Sequence, residues 1–180
     1  MDHAKYMKKA LLALYDFRQC FDGMWLEDSI LSLKKIGIGV KRLALIEELN
    51  KTADIVVKTP VGNTEEFTIN NIVKQGTVMG PLLCSASIAE CCEEHTQGGA
   101  SVWSCVVRSL AYVDDILDIN EDEYNANNAH NTVIHFSQKK RLEISWKKCA
   151  ILSVNSKKIP QLMVDGKPIK AEKSVKYLEI

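Results

Sequence analysis

The sequence has few prolines, no long apolar run and no net charge, and these absences exclude several classes of protein. Its 180 residues include four prolines and nine glycines, and they contain no low-complexity tract, internal repeat or flexible linker. No apolar run approaches the roughly 18 residues that span a bilayer, so we expect that this protein is not embedded in a membrane. Because 46% of the residues are hydrophobic, the chain is not disordered throughout. Its length fits one domain or a large piece of one.

Cysteine is present without the spacing of a metal or redox motif. None of the six cysteines belongs to a CxxC pair, and the short apolar stretch near the N-terminus breaks at Asp16 without a signal-peptide cleavage site. We therefore expect reduced thiols and an intracellular protein, in the nucleus or cytoplasm, that is not secreted. Cys91 and Cys92 precede His95 on a predicted helix, where buried small residues are favoured over a zinc site.

The zero net charge conceals an uneven distribution along the chain. Residues 1–84 carry 11 basic and 10 acidic side chains, residues 85–136 carry 1 and 9, and residues 137–180 carry 11 and 4. An acidic middle followed by a basic third suits metal ions in one place and a phosphate backbone beside it. A solvated lysine-rich surface explains the basic third nearly as well.

Two adjacent carboxylates stand at the centre of the acidic region, in the stretch SLAYVDDILDI at residues 109–119. The apolar, partly β-branched runs 110–113 and 116–119 predict two strands, which places Asp114 and Asp115 at the turn between them. A two-residue turn favours Asn-Gly or Asp-Gly, and two like charges without a glycine are a poor choice for stability. Such a local conflict marks function, and a divalent cation would remove the repulsion.

Asp16 is the candidate third carboxylate. It lies near the end of the apolar run ALLALYDF at residues 10–17, which predicts a buried strand, although a helix fits so short a run as well. Two-metal phosphoryl transfer needs carboxylates from separate strands around ions roughly 4 Å apart. Three clustered carboxylates repel one another without metal, so we expect one of them to have a raised pKa.

The remaining pattern predicts an α+β layer, an antiparallel sheet with helices on one face. Gly37 and Pro81 are expected to mark a helix end and a helix start. The predicted helices are 25–36, 40–50, 82–94 and 122–142. The other predicted strands are 55–59 and 66–69 around the turn PVGNT, 102–107, 149–154, an Asp-Gly hairpin at 164–169, and 175–178.

Five short motifs occur in the order of the successive palm motifs of reverse transcriptases, specifically those of non-LTR retrotransposons. They are YDFRQCFD at 15–22, KQGTVMGP at 74–81, AYVDD at 111–115, WKKC at 146–149 and KYL at 176–178. Each motif alone is weak, whereas five in order over nearly the whole chain make a specific pattern. The chain resembles this family, which implies a polymerase palm with a fingers-side β-hairpin and a partial reverse transcriptase domain over residues 1–180.

The resemblance also implies a two-metal catalytic site. Asp16 and Asp114 would bind both ions, Asp115 would assist, and the backbone carbonyl of Phe17 would complete one shell. Lys148 would lie near the triphosphate and could protonate the leaving pyrophosphate. The cofactor implied is Mg²⁺, two ions, with Mn²⁺ as a substitute.

The implied substrates are an RNA template, a DNA primer and deoxynucleotides. Phe21 would be the aromatic ring that excludes a 2′-hydroxyl, although an ordinary core phenylalanine is the alternative. Gln75 and Gly76 would line the nascent base pair and the template strand. The reaction would be attack of the primer 3′-hydroxyl on the α-phosphate of a deoxynucleotide.

The chain also departs from the family pattern. Ser145 stands where the family usually has Asn, and Glu179 stands where the last motif usually has Gly. Because the motifs of the fingers and thumb lie outside these residues, we expect little synthesis from the 180 residues alone. A catalytically inactive nucleic-acid-binding remnant of a retrotransposon remains an alternative, whereas a nucleotide cyclase is disfavoured because KQGTVMGP has no role there.

Overall fold

A computed structural model describes residues 9–70, 73, 76–156 and 159–175, without the side chain of Val102. The helices are α1 (Cys20–Gly23), α2 (Leu26–Lys35), α3 (Val40–Asn50), α4 (Met79–Glu94) and α5 (Glu123–Lys140). The strands are β1 (Ala10–Arg18), β2 (Thr52–Ile55), β3 (Lys58–Thr59), β4 (Gly62–Asn63), β5 (Phe67–Asn70), β6 (Ala100–Val102), β7 (Cys105–Val107), β8 (Ser109–Tyr112), β9 (Asp115–Asn120), β10 (Glu143–Ile144), β11 (Ala150–Val154), β12 (Met163–Val164), β13 (Lys167–Pro168) and β14 (Lys170–Ala171).

The main sheet is built around β1 and has the strand order β14, β11, β1, β9, β8, with β10 also pairing with β1. The strands β9, β11 and β10 all run antiparallel to β1, and β8 runs antiparallel to β9. The predicted antiparallel sheet is confirmed, except that the outer pair β11 and β14 is parallel. The sheet therefore carries the first acidic strand, β1, directly beside the second, β9.

The alternation of side chains along β1 separates a core face from a second face. Tyr15 and Phe17 are buried, whereas Asp16 between them is only half-buried. The Phe17 ring meets the Phe136 ring of α5 edge-on, with 6.2 Å between centroids. Burying a large aromatic ring in this way contributes on the order of 2 kcal/mol. The helices thus cover the Phe17 face and leave Asp16 on the other face.

Local signals in the sequence fix the ends of two helices. Gly37 has φ +93°, and its N–H donates to the carbonyl of Lys34 while the N–H of Ile38 donates to that of Leu33. This is the Schellman arrangement that favours glycine, and it confirms the predicted end of α2. At the start of α5 the Asp122 carboxylate accepts a 2.8 Å bond from a backbone N–H of the first turn.

The predicted elements match the observed ones with a few corrections. The run 10–17 is a strand and not a helix, and the predicted helix 40–50 coincides with α3. The predicted hairpin 55–59/66–69 is wrong in its pairing, because β2 pairs with β5 and the short strands β3 and β4 form their own hairpin. The predicted strand 102–107 is part of a tight hairpin, since β6 pairs with β7.

The last elements are partly described. The Asp-Gly hairpin is confirmed, because β12 and β13 pair across Asp165 and Gly166, both with positive φ. The predicted strand 175–178 lies almost entirely outside the described residues. In the described part of the chain, no helix is long and apolar enough to cross a membrane.

A buried histidine and a buried aspartate meet behind the sheet. His95 Nε2 lies 3.4 Å from Asp118 Oδ1 and 3.3 Å from the carbonyl oxygen of Ala129, and both side chains are about 1% exposed. Burial alone would lower the pKa of His95, but the Asp118 carboxylate and the carbonyl hold it above its usual value. The charged imidazolium is therefore the form that this pocket stabilises.

We expect this pair to stabilise the fold most at acidic pH. Because the pKa of His95 is raised on folding, its contribution is complete below about pH 6.5 and is lost as the pH rises through the folded-state value. Urea unfolding at pH 6 and pH 8.5 should show a stability advantage over His95→Gln at pH 6 that shrinks at pH 8.5. Asp118→Asn should flatten the difference in the same way, and an advantage that grew with pH would contradict the assignment.

Candidate active site

The acidic hairpin places its turn one residue earlier than the sequence predicts. Tyr112 of β8 pairs with Asp115 of β9, so the two turn residues are Val113 and Asp114, and Asp115 begins the strand. Val113 adopts φ +56°, a conformation that is unfavourable for a β-branched residue. The turn does contain a residue that is poorly suited to it, as the sequence predicts, but the unsuited residue is Val113 and not one of the two aspartates.

Asp16 and Asp115 lie directly opposite each other on neighbouring strands. The register of β1 and β9 pairs these two residues, and their neighbours Tyr15 and Ile116 point into the core. Side chains directly opposite each other in such a pair lie roughly 5 Å apart at Cβ and share one face of the sheet. The tertiary structure thus brings together carboxylates that are 99 positions apart.

Lys148 provides the one cation that touches this group among the described residues. Its Nζ donates to Asp16 Oδ2 at 2.9 Å, and the other oxygen, Oδ1, is buried without a hydrogen-bond partner in the described part of the chain. The loop is held in place because the N–H of Ser145 donates to the Asp16 carbonyl and the N–H of Lys148 donates to the Ser145 carbonyl, both at 2.8 Å. The bond to Asp16 raises the pKa of Lys148.

The electrostatics of the turn favour a positive ligand. Burial raises the pKa of Asp114, and the charge of Asp16 adds to the effect. Burial likewise raises the pKa of Asp115, with further contributions from Asp114 and Asp16. The expectation that one clustered carboxylate has a raised pKa is met at both residues of the pair. A cation close to them would reverse these shifts.

The residues fit a divalent cation by chemistry, although they are not already arranged around one. Carboxylate oxygens are the ligands that Mg²⁺ prefers, and Asp16 Oδ1 is an unpartnered acceptor at the site. Within the described residues, however, no three His, Cys, Asp or Glu side chains form a ready-made metal site. Cys91 and His95, which the sequence disfavours as zinc ligands, are buried, with Cys91 free and His95 beside Asp118.

The other residues that the resemblance implicates have different surroundings. The Phe17 side chain is in the core, which leaves only its backbone carbonyl for a ligand. Phe21 lies on the single-turn helix α1, partly exposed and packed on the core. Gly76 has φ +79°, which favours glycine, and the space above its Cα is open. Gln75 lies outside the described residues.

A pair of cysteines beneath the turn has no counterpart in the sequence prediction. The Sγ atoms of Cys20 and Cys84 are 3.4 Å apart, and the Cys84 thiol donates to the carbonyl of Val113 at 3.7 Å. The hydrogen bond between the thiols, together with burial and the nearby carboxylates, raises the pKa of Cys20. Through this bond the cysteine pair supports the strained turn. No spacing signal could reveal the pair, because the residues are 64 positions apart.

Comparison with known proteins gives a consistent family. A family model described as "Reverse transcriptase (RNA-dependent DNA polymerase)" matches residues 2–180. A curated relative, the "Retrovirus-related Pol polyprotein from type-1 retrotransposable element R2" of Popillia japonica, is 26% identical over 178 residues. That match covers 91% of this chain and 29% of the polyprotein, so the chain spans less than a third of this relative.

Solved structures with a similar fold include telomerases. The apo telomerase of Candida tropicalis superposes with a TM-score of 0.64 at 13% identity, covering 93% of this chain and 32% of that one. The telomerase of Candida albicans, in complex with a TWJ fragment of telomeric RNA, gives a TM-score of 0.57 at 15% identity, with coverages of 91% and 29%. At such low identity the likeness concerns the fold, which is that of a polymerase palm.

Proposed function

The chain belongs to the reverse transcriptase family, and from that premise we propose that it is the catalytic palm portion of an RNA-directed DNA polymerase from a retrotransposon. Its substrates would be a primer with a free 3′-hydroxyl, an RNA template and deoxynucleotides. The observation that carries the proposal is the meeting of Asp16 and Asp115 across β1 and β9, with Asp114 in the adjoining turn. An intracellular location belongs to the same proposal, and the free cysteines support it.

The reaction is transfer of a nucleotidyl group. The primer oxygen forms a bond to the α-phosphorus, the bond to the bridging oxygen breaks, and pyrophosphate leaves. Asp16, Asp114, Asp115 and the Phe17 carbonyl would hold two Mg²⁺ ions, which when bound would stabilise the charge on the attacking and leaving oxygens. Lys148 is placed by its bond to Asp16 at the edge of this group, where its ammonium can donate a proton to the leaving pyrophosphate.

The second candidate is a catalytically inactive remnant that still binds nucleic acid. Two observations favour it. Among the described residues no three metal-binding side chains are already arranged around one point, and residues 137–180 are basic. The polymerase is preferred because the unpartnered oxygen of Asp16 and the raised pKa values of Asp114 and Asp115 describe a site that a cation would stabilise. Without a bound metal, three neighbouring carboxylates repel one another, so a chain that binds no metal gains nothing from keeping them together.

Primer extension tests the proposal. Since fingers and thumb position both reactants in polymerases of this kind, the assay uses a chimera in which residues 1–180 replace the matched stretch of the Popillia japonica polyprotein. With an RNA template, a DNA primer, deoxynucleotides and Mg²⁺, we expect template-directed extension. A folded chimera that binds the template but does not extend the primer would support the inactive remnant.

Phe21 is expected to select the sugar of the incoming nucleotide in the same chimera. Its ring is partly exposed on α1, close along the chain to Asp16, where it can fill the space of a 2′-hydroxyl. Phe21→Val should raise the use of ribonucleotides relative to deoxynucleotides by roughly ten- to a hundredfold, because loss of steric bulk in a pocket is worth about 1–3 kcal/mol. The ratio of the two kcat/KM values measures it.

A matched variant separates sugar selection from general damage. Phe67→Val removes the same atoms from a half-exposed ring on β5, in a different hairpin, and should leave the ratio unchanged. If Phe21→Val also leaves the ratio unchanged, Phe21 is an ordinary core residue.

A further inference from the structure

A groove with a lysine-rich rim lies between α2 and α5, beside Glu90 in the last part of α4. Its volume is about 430 Å³, and its lining includes Leu31 and four lysines, namely Lys34 and Lys35 of α2 and Lys139 and Lys140 of α5. The carboxylates of Asp28 and Glu90 also reach it. We call it the lysine groove. Helices alone line it, whereas the candidate catalytic carboxylates lie on β1 and at the turn before β9, so it is a separate place on the molecule.

The ion pairs around Glu90 leave a positive surplus in the lysine groove. Three ammonium groups contact this carboxylate, at 2.5 Å for Lys35, 2.8 Å for Lys140 and 3.0 Å for Lys139. Lys139 also contacts Glu94 at 2.8 Å, so three lysines share two carboxylates. Burial opposes ionisation of Glu90, yet these bonds hold its pKa well below the usual range. Glu90 is therefore ionised at neutral pH, and the cluster of three lysines and two carboxylates has one more positive than negative charge.

A second uncompensated charge comes from Lys34. It is exposed on the last turn of α2, and it has no ion-pair partner among the described residues. The other acidic group of the groove, Asp28, is already bound by Arg141 at 2.9 Å, and that guanidinium lies 4.2 Å from the centroid of the Trp25 ring. The lysine groove therefore has two more positive than negative charges, in a chain whose total charge is zero.

We propose that the lysine groove binds the phosphodiester backbone of a nucleic acid at a second contact, away from the candidate active site. Ammonium groups suit single phosphates as mobile point charges, and two surplus charges match two successive phosphates. Leu31 and the lysine stems offer apolar surface against which the sugars can pack. The choice of a nucleic acid over another polyanion rests on the proposed function, because a polymerase template extends well beyond the reacting bases.

Fluorescence anisotropy with the purified chain tests this contact. The probes are a labelled 20-nucleotide RNA and the DNA of the same sequence, titrated between about 50 and 200 mM salt. Lys34→Gln/Lys35→Gln should weaken RNA binding roughly tenfold at the lowest salt and lower the slope of log K against log salt by about 1.4, since two contacts to a single strand are lost. Lys41→Gln/Lys51→Gln makes the same charge change at α3, outside the groove, and should change neither quantity.

Further variants make each outcome decisive. Lys34→Gln alone leaves the Glu90 ion pairs intact and should lower the slope by about half as much without shifting the Tm. Because the anisotropy assay measures binding without deoxynucleotides or primer extension, failed catalysis and failed binding are distinguishable. An equal loss in RNA and DNA binding supports recognition of the phosphodiester backbone. A loss for one of them alone shows which of the two nucleic acids the groove binds.

Two results would overturn the proposal. Equal losses in both double variants would mean diffuse charge attraction without a site. Binding of poly-glutamate with the same dependence on Lys34, and without any dependence for either nucleic acid, would make the lysine groove a site for an acidic peptide.

Discussion

Asp114→Asn is expected to abolish RNA-templated DNA synthesis by the chimeric polymerase, with a loss of at least about a thousandfold. The substitution keeps the size of the side chain and removes one negative charge from the turn between β8 and β9. Charge stabilisation by bound metal is worth several kcal/mol, and each 1.36 kcal/mol is tenfold in rate. Single-turnover extension with Mg²⁺ measures the loss.

A metal-binding measurement on the isolated chain provides a second test of the same variant. Titration with Mn²⁺ should broaden the NMR signals of Asp16, Asp114 and Asp115 together in the parent chain, because all three are expected to contact one cation site. Asp114→Asn should weaken this broadening at Asp16 and Asp115. If the pair broadens in the parent while Asp16 does not, the three-carboxylate site is wrong.

Asp165→Asn is the matched control for both measurements. Asp165 also stands in a two-residue turn between strands, it is exposed, and its φ of +50° is one that Asn adopts readily. The control removes the same charge from the same kind of turn, and extension and Mn²⁺ broadening should match the parent. A loss in the control as large as that in Asp114→Asn would show that net charge, and not the site, matters.

Glu90→Gln is expected to destabilise the fold by about 3 kcal/mol, the second large effect. Removing one partner of a buried ion pair leaves an uncompensated charge in the interior. Here that charge is Lys140, whose side chain is 7% exposed and which also donates a 3.3 Å bond to Ser32 Oγ. Glu90 also accepts a 3.0 Å bond from Ser32, so the variant disturbs polar contacts of α4 with both α5 and α2. Equilibrium unfolding in urea at pH 7 measures the change in the free energy of unfolding.

Glu94→Gln tests whether burial is the cause. Glu94 carries the same charge one turn further along α4, but it is 30% exposed and contacts Lys139 alone among the described side chains. Exposed pairs are worth roughly 0–1 kcal/mol, so this variant should cost far less. A Glu90→Gln variant that lost no more than Glu94→Gln would show that the three lysines relax into water.

Much of the fold was readable from local signals in the sequence. The strand β1 agrees with the favoured interpretation of its apolar run, the end of α2 follows from Gly37, and the last hairpin follows from Asp165 and Gly166. Each of these depends on residues within a few positions of one another, so the local sequence carries the physical cause. The motif order also indicated the family, which the match over residues 2–180 confirms.

The local sequence pattern did not predict which strands pair with each other or in which register. The residues 55–59 and 66–69 contain good strand formers, but their actual partners depend on which edges meet, and β2 pairs with β5 instead. The one-residue shift of the acidic turn has the same origin. Asp115 pairs with Tyr112 of β8 as well as with Asp16 of β1, and the resulting two-residue turn holds Val113 in a left-handed conformation that its own preferences oppose.

The sequence by itself determined the end of α2, the last hairpin and the family, because these depend on near neighbours and on residue order, whereas α4 begins at Met79, before the predicted start at Pro81. Only the tertiary structure decided that Lys148 contacts Asp16 across 132 positions, that Cys20 and Cys84 support the turn, and that three lysines surround Glu90. These contacts join elements that are distant along the chain. They form because burial of the core face of β1 against α5 brings those elements together, and no local propensity encodes that distance.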